Sequence, residues 1–375
     1  MATEQAPLYI GLISGTSMDG VDAALVSLGA HRCNVRATLS APYEPELRER
    51  LYAASREPAA FAVDRLGHLD HWVGEAFRDA ALALLRDSGV PASAITAIGS
   101  HGQTVRHQPR AARPFTLQLG DPHIIAAGSG VTTVADFRRR DIALGGEGAP
   151  LAPAFHHWLW GKSERGTAVL NVGGFANLTI LPADESAVSG FDTGPGNSLM
   201  DGWCARHLGK AYDEDGAWAA SGKVSDALLE QLLGDEYFRR PAPKSTGFEH
   251  FNAAWLDAHL AAAGTLPAAD VQATLCEFTA RSIADALGRY APQTERLLVC
   301  GGGAHNGQLL LRLAAKLPRA TVQTTDAVGI GPDWVEAATF AWLAARCLNR
   351  ETGNLPAVTG AREAAILGSI FPGRS

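Results

Sequence analysis

Three glycine-rich turns, each set beside strand-like apolar residues, constrain this chain more than any other feature. The first lies within residues 11–22 (GLISGTSMDGVD), the second within residues 171–177 (NVGGFAN) and the third within residues 301–307 (GGGAHNG). Glycine adopts positive φ easily, and its missing side chain lets a phosphate approach the backbone amides. Two similar hairpins in separate halves of the chain, with a third glycine turn that opens a helix, predict a duplicated nucleotide-binding architecture. The nucleotide they point to is ATP.

Length and charge narrow the class of protein. A chain of 375 residues suggests about two domains, and 46% apolar with 19% charged residues is typical of a globular protein. The net charge of −7 argues against a nucleic-acid partner held by general electrostatics. The basic run at residues 138–140 is followed at once by Asp141, which suits an anionic small molecule or a carboxylate better.

The cysteines and the apolar runs indicate the cellular compartment of the protein. The five cysteines are scattered and never form a C-x-x-C pair, which argues against a disulfide framework or a zinc site. Residues 1–15 lack a basic leader region and contain a glycine within their apolar stretch, so they predict a first strand rather than a signal peptide. No apolar run is long enough to span a membrane. We therefore expect a cytoplasmic α/β protein without a membrane partner.

Apolar periodicity places the first group of elements. Residues 73–88 predict a helix, and residues 94–98 predict a short strand that ends in a polar loop at residues 99–104. Open α/β sheets bind their ligands at such loops, beyond the carboxyl ends of strands. Residues 131–137 predict a further strand that runs into a glycine-rich stretch at residues 145–148.

The second half predicts three helices: an apolar stripe over 275–287, another over 309–317, and residues 334–348 after a proline. We place the first domain at residues 1–130 with about 355–375, where the Gly- and Pro-containing tail returns, and the second at residues 131–354.

The order of these turns and hairpins resembles the superfamily of sugar kinases, actin and the heat-shock chaperone ATPases. The resemblance implies an α/β fold of the two-domain, actin-like or hexokinase-like type, with mixed β-sheets flanked by helices and an interdomain cleft for ATP. Residues 15–17 and 173–174 would form the two phosphate loops, and residues 301–306 the adenosine turn. No G-x-x-x-x-G-K-[ST] run is present, so this is not a P-loop protein.

A narrower resemblance covers essentially the whole chain. The segments that resemble the anhydro-N-acetylmuramic acid kinase family are SGTSMDGVD (14–22), SHGQT (100–104), GDP (120–122), DFRRRDIALGG (136–146), FDTGPGN (191–197), KSTG (244–247), FN (251–252) and residues 331–340. This resemblance implies that ATP and water convert 1,6-anhydro-N-acetylmuramic acid into N-acetylmuramic acid 6-phosphate and ADP, in recycling of cell-wall sugar. It further implies Mg²⁺ as a cofactor, and a homodimer.

Asp192 is the candidate general base within this resemblance. It lies between a strand-like segment and the loop at residues 193–197, so a strand end would present its carboxylate rigidly. A positioned base typically contributes about 10² to 10⁴-fold in rate. The alternative is a turn aspartate that hydrogen-bonds its own loop, a common role beside Gly and Pro.

The nucleotide-binding candidates follow from the glycine turns: Gly15, Thr16, Ser17, Met18, Asp19, Gly20, Val21 and Asp22 in the first, Gly173 and Gly174 in the second, and Gly301, Gly302, Gly303 and Asn306 in the third. The superfamily usually carries an acidic residue at the position of Ile13. Asp19, just downstream, is therefore the candidate ligand of Mg²⁺, with Asp22 nearby.

The sugar-binding candidates are Ser100, His101, Gln103, Thr104, Asp192, Arg138 and Glu336, of which Arg138 and Glu336 are also candidates for catalysis. Arg138 offers a fork for the lactyl carboxylate of the sugar, and Glu336 an acceptor for a hydroxyl. The alternative for His101 is structural, because a histidine after a strand often satisfies loop carbonyls.

Two other classes of function remain open at the level of the sequence. One is an ATP-independent glycosidase in which Asp192 pairs with Glu336 or Asp201. The other is a non-catalytic clamp that senses ATP through domain closure. The first leaves the glycine turns without a purpose, and the second leaves Asp192 and the SHGQT segment without one.

Overall fold

The computed structural model describes residues 6–57, 61–163 and 165–374. The chain divides into two compact units: the first comprises the residues up to Leu159 with those from Trp334 onward, and the second comprises Trp160–Asp333. Residues 131–159 and 334–354, which we placed in the second domain, thus belong to the first unit. The reason is that the strand after residue 130 and the helix after Trp334 both pack against the first sheet. Residues 1–5, which belong to the segment that predicts a first strand rather than a signal peptide, lie outside the described residues.

In the described residues the first unit is built on a mixed, seven-stranded sheet. Its strands are β1 Leu8–Ser14, β2 Gly20–Gly29, β3 Arg32–Pro42, β4 Ile95–Gln108, β5 Phe115–Leu119, β6 Thr133–Ala135 and β12 Ser369–Phe371. Its helices are α1 Pro45–Arg56, α2 Val63–Ser88, α3 Pro122–Ser129, α4 Arg139–Ala143, α5 Ala152–Trp160, α13 Val335–Leu348 and α14 Pro356–Thr359. The strand order is β12-β6-β4-β1-β2-β3, with β5 paired to β4. Strand β12 confirms that the tail returns to the first sheet.

The second unit contains, over its described part, a five-stranded sheet in the order β11-β10-β7-β8-β9. The strands are β7 Thr167–Val172, β8 Phe175–Leu181, β9 Ser189–Pro195, β10 Arg296–Cys300 and β11 Thr321–Thr324. The helices are α6 Ser198–Leu208, α7 Ala217–Ser221, α8 Asp226–Leu233, α9 Glu236–Arg239, α10 Ala253–Ala263, α11 Ala268–Tyr290 and α12 Gly307–Lys316. Helices α11 and α12 confirm the predicted apolar stripes, because Leu275, Leu287, Leu309 and Leu313 all lie in the core.

The two sheets repeat one topology. In each, three antiparallel strands (β1-β2-β3 and β7-β8-β9) are followed by two strands parallel to the first of the three (β4-β6 and β10-β11). The duplicated architecture predicted from the two glycine hairpins is therefore confirmed. So is the α/β class with mixed sheets flanked by helices.

Two paired glycines allow a helix to lie directly on the first sheet. Gly11 of β1 and Gly99 of β4 are partners in the parallel register. A Cβ atom on Gly11 would collide with the carbonyl oxygen of Ala337, and one on Gly99 with that of Phe340. Helix α13 therefore rests on backbone rather than on side chains. The position of its first turn, which carries Glu336, is set by this contact.

One predicted boundary is wrong. Strand β4 does not end at residue 98 but continues to Gln108, so the SHGQT segment is strand and not loop. The continuation is stabilised from both sides, because Gln103 pairs with Ser14 of β1 and with Leu119 of β5. The polar side chains at 100–104 are consequently more buried than a loop would allow.

In the part of the chain that the structure describes, no helix combines the length and apolar character needed to cross a bilayer.

We expect Gly99→Ala to destabilise the protein by about 1–3 kcal/mol or more, because the added methyl must displace the backbone of α13. Gly67→Ala is the matched control. Gly67 lies in the helix α2 with open space around the position of a Cβ atom, so alanine there should stabilise by about 0.4–1 kcal/mol. Urea unfolding of the two variants measures both effects, and equal stabilities would contradict the packing account.

Candidate active site

The first glycine turn presents polar groups to solvent around a buried anchor. Thr16, Ser17 and Asp19 are exposed between β1 and β2, whereas Met18 is buried and has a φ of 48°. A non-glycine residue in this region costs about 1–3 kcal/mol and is held there by surrounding structure. The hydroxyl of Ser17 donates to Oδ1 of Asp19 at 2.8 Å. The turn therefore offers hydroxyls and a carboxylate on one rigid support.

The amide of Gln103 holds this turn from the neighbouring strand. Gln103 is 0% exposed; its Oε1 accepts from Oγ of Ser14 at 2.6 Å, and its Nε2 donates to the carbonyl of Gly15 at 3.1 Å. No surface of Gln103 is left for a sugar to contact. The predicted substrate role is therefore replaced by support of the turn.

Other members of the predicted sets are buried or hydrogen-bonded within the fold. Ser100 is 1% exposed, and the hydroxyl of Thr104 accepts from Nε2 of Gln118. Gly20 and Val21 are buried in β2, where a Cβ atom on Gly20 would collide with the carbonyl of Ala41. Burial leaves the side chains of Ser100 and Val21 almost no accessible surface, so the ligand contacts of Ser100, Gly20 and Val21 stay predictions. Asp22 remains partly exposed, and its Oδ1 accepts from Oγ of Ser40 at 2.7 Å.

Arg138 and Glu336 of the first unit lie close enough for each to affect the pKa of the other. Burial lowers the pKa of Arg138 to about 10, and the carboxylates of Glu336 and Asp141 act in the opposite direction. Water reaches the side chain of Glu336, yet the protein around it desolvates the carboxyl enough to raise its pKa; Arg138 opposes this rise and Asp22 adds to it. The guanidinium therefore stays charged, beside an accessible acidic group.

The guanidinium of Arg138 is tied at two points. Its Nε donates to Nε2 of His101 at 2.9 Å, and its Nη1 donates to the carbonyl of Gly148 at 2.7 Å. The sequence did not indicate either partner. His101 is 7% exposed, and its Nδ1 lies 2.8 Å from the carbonyl of Gly102, so the structural alternative for this histidine is the one that the contacts favour.

A buried carboxylate fixes the loop that carries Gly148. Asp141 is 0% exposed, and Oδ2 accepts from the amide of Gly148 at 2.7 Å. Its Oδ1 accepts from Nδ2 of Asn354 and from Oγ1 of Thr359, both at 2.7 Å. Asp141 thereby joins the loop after α4 to the C-terminal segment, and the acceptor of Arg138 depends on that junction.

The second glycine turn is fixed through its carbonyl groups. The carbonyl of Gly173 accepts from the amide of Asn197, and that of Gly174 accepts from the amides of Gly196 and Ser198. The turn and loop hydrogen bonds of the described residues use the amide of neither glycine. Both amides therefore remain available for an anionic ligand.

Asp192 lies in β9 beside a β-bulge. The ladder with β8 passes from Ala176–Gly194 to Asn177–Asp192, so Thr193 is the extra residue. Bulges of this kind re-aim a neighbouring side chain and are frequent next to active sites. The predicted position of Asp192 between a strand and a loop is thus refined, because the residue belongs to the strand itself.

The carboxyl group of Asp192 is held at one oxygen. Oδ2 accepts from the amide of Thr246 at 3.0 Å, and the backbone of Asp192 is bonded to the carbonyl of Lys244 and the hydroxyl of Tyr237. Burial raises the pKa of Asp192 to about 6; the amide of Thr246 opposes the rise, and the charge of Glu249 adds to it. This arrangement leaves Oδ1 without a hydrogen-bond partner among the described residues. The roles of Thr246 and Tyr237 were not predicted, although KSTG was one of the family motifs.

The third turn is mostly explained by packing. Gly301 has a φ of 77°, and Cβ atoms on Gly301 and Gly303 would collide with Asn171 and Val172. Asn306 caps α12 by accepting from the amide of Leu309 at 3.0 Å. The fold alone therefore accounts for these three residues.

Four predicted phosphate or nucleotide glycines have no such explanation. Gly15, Gly173, Gly174 and Gly302 have no positive φ, and the nearest atoms to an added Cβ lie at 3.6 Å or more. Neither backbone strain nor packing requires glycine there. A ligand that approaches the backbone closely would require it.

Comparison with known proteins agrees with the motifs. The model of the family described as anhydro-N-acetylmuramic acid kinase matches residues 7–373. The chain belongs to this family. It is 54% identical over 370 residues to the anhydro-N-acetylmuramic acid kinase of Xanthomonas campestris pv. campestris (strain 8004), covering 98% of both chains. It is 50% identical over 366 residues to that of Coxiella burnetii (strain Dugway 5J108-111), covering 97% of both. Like the family, it is a kinase, a phosphotransferase.

Solved structures give weaker matches. A ROK family glucokinase from Streptomyces griseus in complex with glucose and AMPPNP has a TM-score of 0.42 at 14% identity, over 90% of this chain and 99% of that one. An activator of 2-hydroxyisocaproyl-CoA dehydratase from Clostridium difficile with bound ADPNP has a TM-score of 0.45 at 10% identity, over 89% and 92%.

We expect Gln103→Leu to destabilise this member of the anhydro-N-acetylmuramic acid kinase family by about 1–3 kcal/mol, because the hydroxyl of Ser14 and the carbonyl of Gly15 lose their buried partner. Gln118→Leu is the control: Gln118 is only half-buried, on the adjacent strand β5. Of its two partners, Thr104 is half-buried and can turn to water, and the hydroxyl of Thr116 keeps its contacts with His107 and Arg106. Urea unfolding compares the two. A larger loss for Gln118→Leu would contradict the role assigned to Gln103.

Proposed function

We propose that this kinase uses ATP and water to open 1,6-anhydro-N-acetylmuramic acid and to phosphorylate O6, giving N-acetylmuramic acid 6-phosphate and ADP in the recycling of cell-wall sugar. The observation that carries the proposal is Asp192, a carboxylate with one oxygen anchored by Thr246 and the other without a partner among the described residues. Its pKa of about 6 suits a general base at neutral pH.

The reaction balances with Asp192 as the acceptor of one proton. Asp192 removes a proton from water as the water oxygen forms a bond to C1. The bond between C1 and O6 breaks, and O6 forms its bond to the γ-phosphorus of ATP as ADP leaves. Bond cleavage and phosphorylation are thus linked through O6, so loss of the base should stop both.

Backbone amides are proposed to bind the phosphates. The amides at Gly15–Ser17 and at Gly173 and Gly174 supply donors, and the hydroxyls of Thr16 and Ser17 add further ones. The open space beside these glycines supports the assignment. Gly302, in the third turn, is the glycine of that turn best suited to lie against the adenosine, since Gly301, Gly303 and Asn306 have structural roles.

The residues present fit a magnesium ion bound partly through phosphate. Asp19 is an exposed carboxylate beside the proposed phosphate turn, and Mg²⁺ commonly takes one or two carboxylates together with substrate phosphates and water. The described residues contain no group of three or more His, Cys, Asp or Glu side chains placed to hold a metal without a substrate. When bound, Mg²⁺ would neutralise charge on the transferred phosphoryl group.

Arg138 and Glu336 are proposed to act on the sugar. The charged guanidinium suits the lactyl carboxylate, and the accessible carboxyl of Glu336 suits a hydroxyl. Asp201, the other candidate for a glycosidase pair, has its pKa raised to about 7 by burial and by Asp213, whereas the charge that acts on Asp192 is that of Glu249.

The family resemblance also supports a cytoplasmic homodimer as part of this proposal. Light scattering after size-exclusion chromatography tests the dimer, and a monomeric mass at micromolar concentration would contradict it.

The deciding experiment follows ADP release from Mg·ATP with 1,6-anhydro-N-acetylmuramic acid in H₂¹⁸O, with immediate borohydride reduction of the product. We expect ADP and sugar phosphate in equal amounts, with ¹⁸O at C1 and none in the phosphoryl group. Sugar opening without ADP would show a glycosidase, and binding without turnover would show a sensor.

We expect Asp192→Asn to fold normally and bind ATP, while bond cleavage and phosphorylation fall together by about 10² to 10⁴-fold, because the amide cannot accept the proton of water. Asp285→Asn, which alters an exposed partner of Arg281 in the same unit, is the control and should retain activity. Single-turnover assays measure both steps. Phosphorylation at a near wild-type rate would refute Asp192 as the base.

The pH dependence follows from the raised pKa of Asp192. The carboxyl of Asp192 is a base only when it is ionised. On the acidic side of the pH profile, kcat/KM should therefore be constant above about pH 7 and fall tenfold per pH unit below about pH 6. Assays between pH 4.5 and 8 test this, with circular dichroism at each pH to exclude unfolding. A fall in kcat/KM that begins only near pH 4 would show that an unperturbed carboxyl controls the reaction.

A further inference from the structure

Strand β4 places a histidine where the proposed reaction has no direct use for it. His101 belongs to the SHGQT motif but is 7% exposed, so its ring has little surface for a ligand. Both ring nitrogens are instead engaged by protein groups, Nδ1 by the carbonyl of Gly102 and Nε2 by the guanidinium of Arg138.

The partners define the protonation of the ring. A carbonyl oxygen only accepts, so Nδ1 carries the proton that is donated to Gly102. A guanidinium only donates, so Nε2 presents a lone pair to Nε of Arg138. His101 is therefore the neutral Nδ1–H tautomer. Burial and the charge of Arg138 both lower the pKa of His101 well below its ordinary value, with His107 adding to the effect, in agreement with this assignment.

The orientation of the ring is fixed by its surroundings. Gly102 has a φ of 74°, and a Cβ atom there would collide with the carbonyl of Leu119, so glycine is required to turn this peptide. The ring of Phe340 lies 4.6 Å from that of His101, measured between centroids. An acceptor held in this way defines the direction of the Nε–H bond of Arg138.

These two anchors leave a particular part of Arg138 for a ligand. Nε donates to His101 and one proton of Nη1 is used by Gly148, which leaves both protons of Nη2 and the second proton of Nη1. With Nε occupied, a carboxylate cannot bind side-on through Nε and must be bound by the free Nη protons.

We propose that His101 is a positioning residue, which orients Arg138 so that its free Nη protons receive the carboxylate of the sugar substrate. The inference rests on the proposed function, in which Arg138 binds that carboxylate. This role differs from the direct sugar contact predicted for His101, because His101 acts only through Arg138.

A double-mutant cycle tests the dependence of one residue on the other. His101→Phe keeps an aromatic ring and removes the acceptor, and Arg138→Met removes the guanidinium. We expect His101→Phe to lower kcat/KM for 1,6-anhydro-N-acetylmuramic acid about 10 to 100-fold in the wild type and less than about threefold in the Arg138→Met background. KM for ATP should change in neither.

His107→Phe is the matched control. His107 lies on the same strand, and burial and the charge of Arg138 lower its pKa. Its Nδ1, however, contacts Oγ1 of Thr116 at 3.0 Å and not the guanidinium. We expect the same substitution there to change kcat/KM less than threefold. His101→Gln, which restores an acceptor oxygen, should regain part of the activity and covers the case in which His101→Phe folds poorly.

A sugar without the carboxylate separates positioning from general damage. 1,6-Anhydro-N-acetylglucosamine lacks the lactyl group, so its inhibition constant should be equal for the wild type and His101→Phe. Equal weakening of both sugars, or additive losses in the cycle, would overturn the positioning role. If the wild-type enzyme does not phosphorylate 1,6-anhydro-N-acetylmuramic acid at all, the proposed function itself fails, and the two failures are thus distinct.

Discussion

The hydrogen bonds of the Asp141 carboxylate are the interactions on which the position of Arg138 depends. Asp141 is fully buried, and isolated burial of a carboxylate is costly unless hydrogen bonds compensate. Donors from Gly148, Asn354 and Thr359 supply that compensation from segments far apart in the chain. Because the carbonyl of Gly148 is in turn an anchor of Arg138, the position of the guanidinium depends on contacts that no ligand touches.

Strand β4 likewise supports residues that are proposed to contact the two ligands, the phosphate and the sugar. Gln103 supports the turn proposed for phosphate, and His101, two residues earlier, supports the arginine proposed for the carboxylate. The intervening Gly102 has a positive φ, so the strand does not simply alternate its side chains there. A short motif can thus carry function without exposing most of its polar atoms, because rigid support of contacting groups is as necessary as the contacts themselves.

Much of the architecture could be predicted from local sequence, because glycine turns and apolar periodicity are properties of neighbouring residues. The paired hairpins and the helices α11 and α12 belong to this class. The extent of β4, the domain boundaries and the burial of Gln103 could not be predicted, since they follow from pairing with β1, β5 and α13 across long separations. The same holds for Thr246 beside Asp192, which a spacing of 54 residues conceals.

The neutral state of His101 has a consequence for how the enzyme would respond to acid. The recognition proposed for the sugar relies on an imidazole whose pKa is well below its ordinary value, so that it stays unprotonated, and on a guanidinium that stays charged. The chemical step relies on Asp192, whose pKa is about 6. The pKa of Glu336 is also raised, but a protonated carboxyl can still hydrogen-bond a sugar hydroxyl. Mild acidification would then leave the enzyme saturated with substrate but slow to turn it over. Such an enzyme retains its sugar through a transient fall in pH and resumes work from the bound state when the pH recovers.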